Sequence, residues 1–161
     1  MHQTELHPYN QMWELKEFCE ANGIFMTAYF PLGGALLMNS EDSLMKNQVL
    51  LEIAGRYNKT APQIMIRWCI QRGVVCIPKS VHMNRIEENC QVFDFELTEE
   101  EMKMIRDLNK YKFFSYPTFL LSSEDKEDYF DNELAYGCLF LRTGHLVFNS
   151  LFQIIVCHAS S

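Results

Sequence analysis

The sequence has no surplus of positive charge. Its 161 residues include 14 Lys and Arg against 21 Asp and Glu, which gives a formal net charge of -7. Proteins that bind nucleic acid through their overall electrostatics present a basic face, so this balance argues against a nucleic-acid partner. It remains compatible with a small basic pocket that holds a single phosphate group.

The cysteines lack the spacing of a metal site. No two of the six form a CxxC pair, and no Cys/His group has zinc-finger spacing, so we expect no bound metal. Their apolar neighbours favour free thiols in a reducing compartment. The first residues are polar and contain no apolar stretch typical of a secretory signal, which predicts a cytoplasmic protein.

The sequence also lacks a long uncharged apolar run. Residues 138–157 are strongly apolar, but Arg142, His145, Asn149 and Gln153 interrupt them. A membrane-spanning helix needs about 20 consecutive, predominantly apolar residues, so we expect no membrane span. With 48% hydrophobic and 22% charged residues, the composition is that of a globular chain whose length suits one domain.

Short apolar runs alternate with amphipathic segments along the first 109 residues. In chain order, the patterns predict strand 2–6, helix 11–22, strand 24–30, helix 44–57, a helix from the Thr60 capping box to Gly73, strand 74–77, helix 83–91 and a helix from the Thr98 capping box onward. This alternation indicates an α/β fold with a parallel sheet. Three strands leave two exposed edges, which predicts an incomplete unit.

Two of these segments also predict which side chains are buried. Strand 24–30 is apolar along its length, so we expect it to be buried on both faces. In helix 11–22, Met12, Leu15, Phe18 and Cys19 recur at helical spacing and are expected to form the buried face.

The clearest binding pattern lies in residues 74–89. A short β-branched run breaks at Pro78, Lys79 and Ser80 stand at the break, and a helix with Arg85 follows. A cation, a hydroxyl and a helix N-terminus after a buried strand together form a phosphate site. Taken alone, the two cations could equally be ordinary solvated side chains.

Four stretches of the chain resemble one enzyme family, the aldo-keto reductases. They are Gln3-Thr4-Glu5-Leu6-His7-Pro8-Tyr9, Thr27-Ala28-Tyr29-Phe30-Pro31-Leu32-Gly33, Ile77-Pro78-Lys79-Ser80 and Val92-Phe93-Asp94-Phe95-Glu96-Leu97. The first three resemble the motifs of the sixth, seventh and eighth strands of that family's (β/α)8 TIM barrel. The resemblance therefore implies the C-terminal part of an incomplete barrel over residues 1–136, including the C-terminal loop, followed by an unmatched hydrophobic tail over 137–161.

The resemblance implies an NADP(H)-dependent enzyme that reduces aldehydes and ketones to alcohols, with a small-molecule carbonyl substrate. It assigns Gln3 to the nicotinamide carboxamide and Tyr29 to stacking on the nicotinamide ring. It assigns Leu32 and Gly33 to the pyrophosphate. An aromatic face suits a flat ring, although Tyr29 at a strand end could also serve packing alone.

At the other end of the cofactor, the resemblance assigns Lys79, Ser80 and Arg85 to the 2′-phosphate of NADP(H). It assigns Glu88 and Asn89 to the adenine. Two cations and a hydroxyl are chemically suited to a dianionic phosphate.

The chain departs from the family pattern in three respects that matter for function. The loop after Gly33 is short compared with that of many family members, which weakens any cover over the cofactor. Phe30 stands where the family usually has a serine that bonds the pyrophosphate. The motifs that carry the family's catalytic Asp, Tyr, Lys and His do not occur in this sequence, so no catalytic residue is assigned. The alternative interpretation is therefore a catalytically inactive, truncated isoform.

Overall fold

Parallel strands alternate with helices in the computed structural model, which describes residues 1–34 and 42–113. The elements are β1 His2–Glu5, α1 Trp13–Ala21, β2 Met26–Tyr29, a 3-10 helix Leu44–Lys46, α2 Gln48–Tyr57, α3 Ala61–Gln71, β3 Val75–Cys76, α4 Met83–Cys90 and α5 Glu99–Arg106. The predicted α/β alternation is confirmed. Most of the C-terminal loop and the tail at 137–161 lie outside the described residues.

The sheet has the order β1-β2-β3, and both neighbouring pairs are parallel. Gln3 lies opposite Thr27, and Thr27 lies opposite Val75. Pairing continues past the end of β3, because the Ile77 N–H donates to the Ala28 carbonyl oxygen at 3.1 Å. The turn after β3 is therefore held against the middle strand.

One face of the sheet contributes to the hydrophobic core. Leu6, Met26, Ala28 and Val74 are all buried, and they share one cluster with apolar side chains from the helices. The helical members of this cluster include Leu50, Ile53, Ala54, Ala61, Ile64, Met65, Trp68 and Ile105. Trp68 is fully buried, as its helical spacing predicts.

The opposite face of the sheet is partly open. Phe25 precedes β2 and is 74% exposed, and Val75 in β3 is 46% exposed. Gln3 on the same face is exposed as well. The prediction that strand 24–30 is buried on both faces is therefore wrong for Phe25, because helices cover only the other side of the sheet among the described residues.

Helix α1 is shorter than predicted and buries a narrower stripe. Met12 adopts a left-handed conformation with φ 50°, so the helix begins only at Trp13. Phe18 is 61% exposed, in contrast to its predicted burial, whereas Cys19 is buried. Leu15 and Cys19 are four residues apart and share the inward side, and Phe18 falls on the solvent side of that stripe.

The predicted helix 44–57 is divided in two at Asn47. Asn47 has extended backbone geometry, and its Oδ1 accepts from the N–H groups of Val49 at 3.0 Å and Leu50 at 3.3 Å. An asparagine side chain satisfies the first free N–H groups of a helix, so it starts α2 and ends the preceding 3-10 turn. The capping boxes predicted at Thr60 and Thr98 are confirmed.

A buried arginine joins the end of α3 to the start of α1. The Arg72 guanidinium lies 4.0 Å from the centroid of the Trp13 ring and 4.4 Å from that of Trp68. Its Nη2 donates to the Gln11 carbonyl oxygen at 2.7 Å. Burial lowers the pKa of Arg72 to about 10, and the two aromatic faces supply part of the stabilisation that water would otherwise give the cation.

Candidate functional site

Five of the predicted site residues lie where parallel strands end: Tyr29, Leu32 and Gly33 at the end of β2 or just after it, and Lys79 and Ser80 after β3. Tyr29 is the last residue of β2, and the turn with Lys79 and Ser80 follows β3 directly. Because neighbouring parallel strands end at the same edge, both segments leave the sheet side by side. The bond from Ile77 to Ala28 fixes this arrangement in the backbone.

The segment after β2 is a tight turn around Phe30. Phe30 has φ 49°, and Gly33 has φ 84° and donates from its N–H to the Phe30 carbonyl oxygen at 2.8 Å. Positive φ suits glycine and is strained for phenylalanine. The Phe30 ring meets the half-buried Tyr29 ring edge to face, with centroids 5.4 Å apart. In this turn Tyr29 and Leu32 are half-buried, whereas Gly33 is buried.

The segment after β3 presents two unpaired cations. Lys79 and Arg85 are both exposed, and neither forms an ion pair within the part of the chain that the structure describes. Ser80 lies between them, and its Oγ accepts from the His82 N–H at 3.1 Å. This bond fixes the turn and leaves the positive side chains free to meet an anion.

The N-terminus of α4 has no side-chain cap. His82 occupies the N-cap position and makes no capping hydrogen bond, so the first N–H groups of the helix, at Met83 and Asn84, lack such a partner. Free N–H groups at a helix start carry partial positive charge and favour an anion. Their position between Lys79 and Arg85 suits a phosphate group.

The two residues predicted to reach the adenine differ in accessibility. The Glu88 Oε1 accepts from the Thr60 hydroxyl at 2.7 Å, and the Glu88 carbonyl oxygen accepts from Gln63 Nε2 at 3.0 Å. Asn89 is only 7% exposed, so little of its side chain faces solvent. Glu88 therefore helps to hold α4 against α3, in addition to any contact with a ligand.

Gln3 lies in β1, away from the other predicted site residues. It nevertheless lies on the same face of the sheet as Tyr29. Its register partner is Thr27, two residues before Tyr29, so Gln3 and Tyr29 are diagonal neighbours on the open face. Gln3 is exposed and can reach a ligand placed over that face.

A buried polar cluster at the end of β1 was not identified from the sequence. Glu5 and His7 are both fully buried, and their side chains meet at 3.0 Å between Oε1 and Nε2. The His7 Nδ1 accepts from the Tyr9 N–H at 3.2 Å, so the ring proton is on Nε2 and is donated to Glu5. Asn10 Nδ2 donates to the Glu5 carbonyl oxygen at 2.9 Å. The spacing Glu5-Leu6-His7-Pro8 is the signal that could have indicated this rigid turn.

The comparisons with known proteins agree with the geometry. The model of the aldo/keto reductase family matches residues 1–110. The chain belongs to the aldo/keto reductase family. It is 49% identical over 112 residues to a 9,11-endoperoxide prostaglandin H2 reductase of Trypanosoma cruzi, covering 70% of this chain and 38% of that protein. It is 44% identical over 111 residues to human aldo-keto reductase family 1 member A1, covering 67% and 34% respectively.

A solved structure gives the same result at the level of the fold. The chain superimposes with a TM-score of 0.65 and 40% identity on an aldo-keto reductase enzyme from a Medee basin deep-sea metagenome library, covering 74% of this chain and 43% of that one. The aldo-keto reductases that it matches have a TIM-barrel fold. The chain spans well under half the length of these relatives.

Two further searches of the coordinates covered the described ranges alone. No helix in residues 1–34 or 42–113 is long and apolar enough to cross a membrane. In the same ranges, no group of three or more His, Cys, Asp or Glu side chains is arranged to hold a metal ion.

Proposed function

We propose that this chain forms the cofactor-binding, C-terminal part of an NADP(H)-dependent aldo-keto reductase. The observation that carries the proposal is the turn and helix after β3. Lys79 and Arg85 are exposed, form no ion pair among the described residues, and flank a helix N-terminus that His82 does not cap with its side chain. Such a cluster, at the end of a strand in a parallel sheet, matches the phosphate position common in barrel enzymes.

The charge of the cluster favours NADP(H) over NAD(H). The 2′-phosphate carries close to two negative charges, whereas the corresponding 2′-hydroxyl of NAD(H) carries none. Arg85 offers a planar fork of donors and Lys79 a compact charge, and both are used to hold phosphates. Exposed side chains with no competing carboxylate can turn toward the ligand without breaking an existing ion pair.

The turn after β2 supports the position of the nicotinamide end. Tyr29 offers an aromatic face, and Gln3 lies diagonally across from it on the open face of the sheet. Gly33 has no Cβ, so its backbone can approach the pyrophosphate closely. Leu32 is half-buried and packs against the hydrophobic core.

The open face of the sheet supports an incomplete barrel. In a (β/α)8 barrel, one face of each strand packs against the outer helices and the other faces the barrel interior. Here one face of the sheet packs against helices, whereas Phe25 and Val75 on the other face are exposed. We infer that earlier barrel strands, supplied outside this sequence, cover that face in the complete enzyme.

When bound, the reduced cofactor supplies the hydride that converts a carbonyl compound to an alcohol. The residues of this chain contribute to that reaction by position. Tyr29 and Gln3 orient the nicotinamide ring, and the anion site after β3 anchors the far end of the cofactor. A proton for the carbonyl oxygen comes from an acid outside this sequence, because the family's catalytic tetrad has no counterpart here.

The alternative is a catalytically inactive, truncated isoform that lacks the Asp/Tyr/Lys/His tetrad. The exposed apolar side chains of Phe25 and Val75 favour this alternative for the chain by itself, because they stand where a complete barrel has an interior. Both hypotheses share the cofactor site and differ in turnover.

One experiment addresses both hypotheses. The purified chain is titrated with NADPH and with NADH while nicotinamide fluorescence is followed, and NADPH consumption is then measured with an aromatic aldehyde. We expect saturable, NADPH-selective binding without turnover. Turnover would contradict the inactive-isoform alternative, and absence of NADPH binding by the folded chain would contradict the proposed cofactor site.

A further inference from the structure

The buried polar cluster of Glu5, His7 and Asn10 lies next to the residue expected to meet the nicotinamide ring. Glu5 is the register partner of Tyr29 in the sheet. Just beyond the end of β1, the Leu6 N–H donates to the Tyr29 carbonyl oxygen at 3.3 Å. The cluster therefore begins where the chain leaving β1 contacts the last residue of β2.

The cluster closes a tight turn. The His7 N–H donates to the Asn10 carbonyl oxygen at 3.1 Å, and the Asn10 N–H donates to the His7 carbonyl oxygen at 2.8 Å. The Asn10 Nδ2 also donates to the Glu5 carbonyl oxygen at 2.9 Å. All three residues are fully buried. Because they hold one another in place, a shift of this turn also moves the end of β1.

His7 holds the Glu5 side chain as well as the turn. Both of its ring nitrogens form hydrogen bonds: Nε2 meets Glu5 Oε1 at 3.0 Å, and Nδ1 accepts from the Tyr9 N–H at 3.2 Å. Burying a carboxylate is costly unless hydrogen bonds compensate for the lost water. Loss of the imidazole takes one donor from a fully buried carboxylate, so we expect the turn to shift in response.

The backbone that follows Tyr29 depends on this support. Phe30 comes next in the chain and has φ 49°, a strained value for a residue with a side chain. Such a conformation persists only where surrounding contacts hold it. The bond from Leu6 to the Tyr29 carbonyl oxygen is one of these contacts, because that carbonyl belongs to the peptide leading into Phe30. The direction of the Tyr29 ring therefore depends on the turn after β1.

Gln3 depends on the same strand end. Gln3 and Glu5 are two residues apart in β1, so their side chains lie on one face of the strand. In the sheet order β1-β2-β3, β2 separates this strand from β3 and from the turn that carries Lys79. The cluster is thus adjacent to the proposed nicotinamide end and is separated from the proposed phosphate site.

We propose, on the basis of the proposed function, that Glu5, His7 and Asn10 form a positioning cluster, which orients Gln3 and Tyr29 toward the nicotinamide end of the cofactor. The three side chains are fully buried and act through the backbone of β1 and its turn. The expected signature is a loss of affinity for NADPH that does not extend to a ligand lacking the nicotinamide.

The test compares two ligands by calorimetric titration of the full chain. NADPH carries both ends of the cofactor, whereas adenosine 2′,5′-bisphosphate carries the adenine and the 2′-phosphate without a nicotinamide. His7→Asn retains an acceptor for the Tyr9 N–H but is too short to donate to Glu5. We expect this variant to bind NADPH about tenfold more weakly, the equivalent of one hydrogen bond to a charged group, and to bind the bisphosphate as the wild type does.

Two matched variants and one control accompany His7→Asn. His7→Gln places an amide nitrogen near the position of Nε2 and is expected to recover most of the lost NADPH affinity. Asn10→Ala removes the donor to the Glu5 carbonyl oxygen together with Oδ1, which is buried without a hydrogen-bond partner among the described residues. It is expected to bind NADPH about fivefold more weakly. Glu101→Gln lies outside the cluster and is expected to leave both affinities unchanged.

Four outcomes overturn the positioning role. They are equal losses for NADPH and the bisphosphate in His7→Asn and Asn10→Ala, wild-type NADPH affinity in Asn10→Ala, no recovery in His7→Gln, and an NADPH-selective loss of the same size in Glu101→Gln. Should His7→Asn fail to fold, Asn10→Ala decides the question. A wild-type chain that binds neither ligand overturns the proposed function and the positioning role together. A wild type that binds both, with no selective loss in the variants, overturns the positioning role alone.

Discussion

The Thr60 hydroxyl donates a hydrogen bond to Glu88 Oε1 at 2.7 Å, and this bond joins the start of α3 to the last part of α4. Gln63 adds to the same junction, since its Nε2 donates to the carbonyl oxygens of Glu88 and Gln91, each at 3.0 Å. The helix that carries Arg85 is therefore held at its C-terminal end by α3, while its N-terminus stays free for a ligand.

Replacement of Thr60 by valine tests this junction. Thr60→Val keeps the side-chain shape but removes the hydroxyl, so we expect the free energy of unfolding to fall by about 1 kcal/mol. Urea unfolding measures the change. Thr60→Ser retains the hydroxyl and serves as the control, with an expected loss of less than half of that amount. Wild-type stability in Thr60→Val would show that the bond to Glu88 contributes nothing.

The free energy of unfolding is expected to depend on pH through the carboxylate of Glu101. Burial of this carboxylate opposes ionisation, but hydrogen bonds from the Tyr57 hydroxyl at 2.6 Å and the Thr98 N–H at 2.9 Å, with Arg56 nearby, lower its pKa below the ordinary 4.5. Because the folded pKa lies below the unfolded one, the stabilisation is complete above pH 4.5 and is lost as the pH falls through the folded pKa.

We therefore expect Glu101→Gln to lower the free energy of unfolding at pH 7 by about 1.5–3 kcal/mol, the range for hydrogen bonds to charged groups. The variant is also expected to lose less stability than the wild type between pH 5 and pH 3, as measured by urea unfolding at each pH. Glu100→Gln changes an exposed neighbour in the same helical turn and serves as the control. A parallel pH dependence in Glu101→Gln and the wild type would contradict this assignment.

Phe30 provides a test of the proposed pyrophosphate contact. It occupies a left-handed position in the turn after β2, and the family resemblance implies a serine that bonds the pyrophosphate at this position. Phe30→Ser is expected to strengthen NADPH binding by about 1.5 kcal/mol, through a hydrogen bond to a charged group. Phe30→Ala removes the ring without adding a hydroxyl and is the matched control. Equal affinities of the two variants would show that no such bond forms.

The parts of the fold that depend on local chemistry were predictable from the sequence. The capping boxes at Thr60 and Thr98 each involve residues within one helical turn, and both are confirmed. The helix start at Asn47 also depends on local contacts. The apolar periodicity continues across this position, however, so the sequence pattern predicted one uninterrupted helix over 44–57. The exposure of Phe18 and Phe25 was not predictable, because it depends on which faces other elements cover.

The same distinction applies to the site. Lys79, Ser80 and Arg85 are close in sequence, so a strand break followed by a helix was enough to indicate an anion site. The bond between Thr60 and Glu88 and the bond between Gln63 and Gln91 join segments that are far apart in the sequence. Such contacts follow from the packing of α3 against its neighbours, and no pattern in the sequence specifies them.

The central claim is that the cations after β3 recognise the 2′-phosphate of NADP(H). Its most direct test compares the affinities of the wild-type chain and of the double variant Lys79→Ala/Arg85→Ala for NADPH and for NADH. Lys103→Ala removes an exposed lysine from α5 and controls for a non-specific effect of losing positive charge from the surface.

We expect the double variant to bind NADPH more weakly by about 3 kcal/mol or more, from two charged contacts, and to bind NADH as the wild type does. Lys103→Ala is expected to leave both affinities unchanged. An equal loss for NADPH and NADH, or no loss for either, would contradict the assignment of this site to the 2′-phosphate.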